Sequence, residues 1–196
     1  MQKGRLEAFS DGFLAIVITI MVLELKVPRD GSAFDDLEPL LPVFLSYVLS
    51  FVYLGIYWNN HHHMFQATQR VNGSILWANL HLLFWLSLVP FVTGWIGETH
   101  FAPAPSALYG VVLLMSAVAY WILQQAILQA PGGSTVLASA LGRDLKGKLS
   151  PFIYVAAIAL SFANQWIACA LYVLVALIWL IPDRRIERAL ASSKDE

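Results

Sequence analysis

Apolar runs of bilayer-spanning length recur from one end of this chain to the other. They extend from about Phe9 to Val27, Leu40 to Asn60, Ile75 to Ile96, Ala107 to Ala130 and Ser150 to Ile181. A helix needs about 20 apolar residues to cross the hydrocarbon core. Inside it, backbone groups must be satisfied within the segment, which makes such runs helices. At 58% hydrophobic and 13% charged, the 196 residues lie well outside soluble composition. An all-α membrane protein is therefore expected, with Trp and Tyr near the run ends as interfacial anchors.

The last run has 32 residues, too many for one span and few for two. Charge resolves it. Arg143, Lys146 and Lys148 precede the run, and Arg184, Arg185 and Arg188 follow it. Two basic flanks belong on the same, cytoplasmic side. The chain must turn between them, at the polar pair Asn164-Gln165. Six spans result, about 9–27, 40–60, 75–96, 107–130, 150–163 and 166–181, forming a single domain over 1–196. Both termini are cytoplasmic, and ten of the twelve basic residues lie inside. Lys26 and Arg29 are outside with Glu24, Asp30, Asp35, Asp36 and Glu38. The stretch from 129 to 149 begins with Pro131-Gly132-Gly133-Ser134 and is expected to form a short surface helix.

Several classes lack support. The net charge of −1 gives no sign of a nucleic-acid partner. Cys169 is single and has no intrachain disulfide partner. Asp11, Glu24 and Lys26 argue against a cleaved signal peptide. No internal repeat marks a transporter.

The first span carries the most chemistry. Arg5 and then Phe9-Ser10-Asp11 stand at its mouth, and charge at such a depth tends to face protein or water. Only 12 uncharged residues separate Asp11 from Glu24, about 18 Å of helix against a hydrocarbon core of roughly 30 Å. Such a helix is expected to be surrounded by protein, or by protein and water. Ile16, Ile20 and Leu23 fall on one stripe with Thr19 beside it. The stripe fits a core helix packing on its neighbours. It also fits copies meeting around an axis, where aliphatic rings gate a pore by dewetting.

Asp11 is expected to find a partner among Asn59, Asn60, His61, His62, His63, Asn79 and His81. His61-His62-His63 admits a metal, a structural cluster or a proton relay. Consecutive helical residues diverge by about 100°, and no H-E-x-x-H pattern is present. Ser10 lacks a nucleophile elbow. No catalytic residue, metal or cofactor is expected. A proton-coupled or proton-permeable transporter using Asp11 and the histidines is the alternative reading, and an intramembrane enzyme on His61, His62 and Asp11 a further rival. Pro90-Phe91 with Thr93 is read as a packing kink.

Arg5-Leu6-Glu7-Ala8-Phe9-Ser10-Asp11 resembles the R-x-x-x-F-S-D hallmark of the transmembrane protein 175 family of potassium channels, in its prokaryotic branch. Tyr57-Trp58-Asn59-Asn60-His61-His62 and Asn79…Pro90-Phe91…Thr93 are also similar to it. The resemblance spans essentially the whole chain. It implies a homotetramer of six-helix subunits in the plasma membrane, with the first helix lining a central pore through which potassium ions pass. No T-V-G-Y-G filter is present. The implied constriction is Ile16, Ile20 and Leu23, with Thr19 at a pore hydroxyl position. Arg5, Phe9, Ser10 and Asp11, with Asn79 and His81 as partners, would hold the bundle together without touching the ion.

Overall fold

The computed structural model describes residues 2–28, 33–66, 68, 70–130 and 145–180. Over these residues the fold is all-helical, without a strand. Pro131–Ser134, Arg143, Arg184, Arg185, Arg188, Lys194 and most of the expected surface helix lie outside the described residues.

Helix α1 covers Lys3–Ile20 and continues as a 3₁₀ turn, Met21–Glu24. Regular helix thus starts six residues before the apolar run and stops at Ile20. A 3₁₀ segment, Phe34–Leu40, leads into α2, Leu41–Gln66. All three consecutive histidines are therefore helical. Asn72 caps α3, Gly73–Ser87, its Oδ1 accepting from the Ile75 N–H at 3.0 Å. The rod breaks at Leu88 and resumes as α4, Val89–Glu98. Proline lacks the N–H that would continue the ladder, so the break falls two residues ahead of Pro90.

Helix α5, Pro103–Leu128, opens four residues before the apolar run, with proline at its first position. Helices α6, Leu145–Leu160, and α7, Gln165–Leu180, form a hairpin. Its turn is held by the N–H groups of Ala163 and Asn164 on the Leu160 carbonyl, and by Asn164 Oδ1 on the Trp166 N–H. The polar pair thus sits at the hairpin's corner. Lys3–Glu24, Phe34–Gln66, Gly73–Glu98 and Pro103–Leu128 are each long and apolar enough to cross a membrane, while Gln165–Leu180 is a shorter apolar helix.

Leu82, Leu83, Leu86, Leu113, Leu123 and Tyr172 are among the side chains at the centre of the core. Helix α3 packs mainly on α5, α5 on α6, and α2 on α4. Helix α1 lies across α2 and α3 at the margin. Its own protomer does not surround it: Leu6, Ser10, Leu14, Val17 and Met21 are buried, and the opposite side is open.

Between α4 and α5 the chain reverses through His100 and Phe101, both with positive φ, at 53° and 60°. This left-handed turn lets the Phe101 N–H reach the Ile96 carbonyl at 2.9 Å and close the end of α4. It also brings the Phe101 ring against Trp166, centroids 5.7 Å apart, joining this loop to the α6–α7 hairpin.

Candidate functional site

Burial divides α1 lengthwise. At 100° per residue, Arg5, Phe9, Gly12, Ile16, Thr19, Ile20 and Leu23 share an arc of about 100°, and every one of them is exposed. Ile16 is 59% exposed, Ile20 44% and Leu23 74%. These are large aliphatic groups left uncovered on a helix whose other side is fully packed. The Thr19 hydroxyl donates back within its own helix, with Ala15 O at 2.9 Å and Ile16 O at 3.0 Å. Its oxygen therefore remains on the open face as an acceptor.

The buried side carries a polar anchor. Asn79 on α3 donates through Nδ2 to Ser10 Oγ at 2.9 Å. Its Oδ1 lies 2.8 Å from His61 Nε2 on α2. With Nδ2 committed to Ser10, Oδ1 accepts, so His61 donates through Nε2–H. All three residues are almost fully buried. The chain Ser10–Asn79–His61 thus ties α1, α3 and α2 with side chains that satisfy one another.

Asp11 finds a different partner from those the sequence suggested. Its Oδ1 accepts from the indole N–H of Trp58 at 3.1 Å, and the Trp58 ring stacks on His62 at 6.3 Å. His81 does not join the anchor. Two residues beyond Asn79, it points about 200° away and accepts at Nε2 from Trp85 Nε1 at 3.0 Å, one turn along its own helix. Arg5 also stays out: it is exposed and, among the described residues, its guanidinium makes no hydrogen bond or ion pair within the protomer. Phe9 lies on the open stripe with its ring 6.3 Å from Phe13. The motif therefore splits, with Ser10 and Asp11 turned toward α2 and α3 and Arg5 and Phe9 toward the outside.

The histidine run does not converge. His61 points inward to Asn79, and exposed His62 meets Gln66 Nε2 at 2.8 Å. Among the described residues, no three His, Cys, Asp or Glu side chains are grouped to hold a metal ion.

A second polar layer escaped the sequence reading. Thr93 Oγ1 lies 2.6 Å from Ser50 Oγ, which is 3.0 Å from the Tyr109 hydroxyl. Ser46 Oγ adds a bond to the Thr93 carbonyl at 3.1 Å. These hydroxyls join α4, α2 and α5 in the core, and lone Ser and Thr residues in apolar runs were its only signal.

A family whose description reads "Endosomal/lysosomal potassium channel TMEM175" matches residues 5–90, the region that builds the stripe and its anchor. The chain is 60% identical over 190 residues to potassium channel HX13_20290 of Chryseobacterium sp. (strain P1-3), covering 97% of this chain and 98% of that protein. It is 29% identical to potassium channel Cha6605_3372 of Chamaesiphon minutus, over 92% of this chain and 94% of the relative. The crystal structure of a lysosomal potassium-selective channel TMEM175 homolog from Chamaesiphon minutus superposes with a TM-score of 0.80 at 29% identity, covering 90% of this chain and 95% of that one.

Proposed function

Because this chain belongs to the TMEM175 family, we propose that it is a potassium channel whose pore is formed where α1 helices from four identical subunits meet. Ile16, Ile20 and Leu23 form the constriction, and Thr19 presents its oxygen beside them. The observation that carries this reading is the uncovered aliphatic stripe on a helix anchored firmly on its other side. Facing lipid would suit that stripe poorly, because only 12 uncharged residues separate Asp11 from Glu24, about 18 Å against a hydrocarbon core of roughly 30 Å. Facing its symmetry mates, the stripe becomes a narrow apolar passage that excludes water until it widens.

Potassium moves passively down its electrochemical gradient as the permeant species, with no cofactor or catalytic step. It sheds hydration more readily than sodium, so a passage that strips water penalises sodium more. The subunit crosses the membrane six times, with α3 and α4 together making the third crossing and α6 and α7 the last two. Both termini are cytoplasmic and the site of action is the plasma membrane. Asp35, Asp36 and Glu38 then stand at the outer mouth, where they concentrate cations.

Liposome flux tests the reading. Purified protein should pass potassium with no pH gradient imposed. Flux that requires a proton gradient would instead favour a coupled carrier, and no flux at all would remove the channel.

A further inference from the structure

A cavity of about 640 Å³, lined by no residue of α1, opens between the C-terminal half of α2, the C-terminal half of α5 and the start of α6. Its lining is graded. Lys148, Gln124 and Asn60 lie toward the end of the bundle where α5 finishes and α6 begins, and Ala117 lies two turns of α5 deeper, about 10 Å. Trp121 on α5 and Phe152 on α6 both line the cavity and are exposed, at 58% and 74%, so they flank an opening on the outer surface of the bundle. The walls are tied together. The Tyr120 hydroxyl donates to the Asn60 carbonyl at 3.3 Å across α5 and α2, and Trp179 Nε1 donates to Ser150 Oγ at 2.9 Å across α7 and α6.

We propose that this cavity binds a single anionic phospholipid of the adjacent leaflet, with an acyl chain along Ala117, Trp121 and Phe152 and the phosphate at Lys148. Two observations choose the occupant. The deep walls are aromatic and aliphatic, a lining that water fills poorly and hydrocarbon fills well. The charge at the rim is positive, and Lys148 makes no ion pair among the described residues. A cation at the cytoplasmic edge of an apolar cleft between helices matches a tail below an anionic head. Gln124 and Asn60 add amides at headgroup level. The proposal requires that the bundle lie in a membrane and is independent of where the pore runs.

The test reconstitutes the full-length protein in vesicles of equal phosphatidylglycerol and phosphatidylcholine, re-extracts it in mild detergent, and counts retained lipids by native mass spectrometry. One phosphatidylglycerol per protomer is expected, in preference to phosphatidylcholine. Ala117→Phe, which fills the deep end, should abolish retention. Lys148→Gln should keep a lipid but lower the phosphatidylglycerol preference about fivefold, the weight of one lysine near an anionic surface. Absence of a stoichiometric lipid overturns the proposal, as does retention unchanged by Ala117→Phe, which marks the lipid as annular. Because Lys148 is exposed, its variant remains informative if Ala117→Phe fails to fold, and an unmoved preference then rejects the headgroup site. Potassium flux from the same vesicles is read separately, so loss of the lipid and loss of the channel are distinguishable.

Discussion

Each polar residue of α1 takes its role from the direction in which it points. Asn79 is fully buried and has hydrogen-bond partners on two other helices, Ser10 and His61. Asn79→Leu should lower stability by about 1 kcal/mol, the usual weight of an interhelical hydrogen bond in a membrane. Thermal unfolding of the purified protein reads the loss, while potassium preference in the assembled fraction stays near wild type. Ile16 sits on the opposite face and is 59% exposed within the protomer. Ile16→Asn should wet the constriction, raising potassium current and weakening the preference over sodium. Unchanged current and preference would move Ile16 off the pore. The anchor was only partly legible in the sequence. Asn79 was read as a candidate partner for Asp11, and Ser10 as a bundle-holding residue through the family resemblance, but the indole N–H of Trp58, the donor to Asp11, has no periodic or charge signature. The His81–Trp85 pair could have been read from its i, i+4 spacing, which competes directly with a role for His81 in the anchor.

At the level of elements, close approach between helices sets the tolerance to change. A Cβ added to Gly97 on α4 would sit 2.6 Å from Ser46 Oγ and 2.7 Å from the Val43 Cα on α2. The hydroxyl can rotate away, but the backbone of α2 cannot yield without moving the helix. Gly97→Ala should therefore destabilise by about 1–3 kcal/mol, as overpacking does, and lower the unfolding temperature. Gly12 on the open face of α1 has nothing within 4 Å of its would-be Cβ. Gly12→Leu favours helix by about 1 kcal/mol, so an isolated protomer gains from it. In an assembly whose α1 helices meet, the added side chain crowds the axis, and reduced oligomer on size-exclusion chromatography is expected. The elements themselves were readable because apolar run length and charged flanks encode them. The break at Leu88 and the early start of α5 were displaced from the apolar boundaries, because prolines and caps, not hydropathy, decide where a helix begins. The hydroxyl layer of Ser50, Thr93 and Tyr109 was not readable, since its members lie in three separate segments and meet only through the packing of α2, α4 and α5.

For the whole molecule, charge at the outer mouth acts over distance. Neutralising Asp35, Asp36 and Glu38 together should reduce potassium conductance at low ionic strength. The difference from wild type should shrink in about 1 M salt, where the screening length falls to roughly 3 Å. Current ratios that do not vary with salt would place these residues away from the ion path. The fold as a whole was more legible than the assembly, because a sequence records where helices lie but not which uncovered face meets a second copy. One consequence follows from the two-sided character of α1. The residues that fasten it, Leu6, Ser10, Leu14, Val17 and Met21, share no position with those on its open side. Mutational drift along one edge of this rod can therefore alter how ions are handled while heritable foldability, written along the other edge, is left intact.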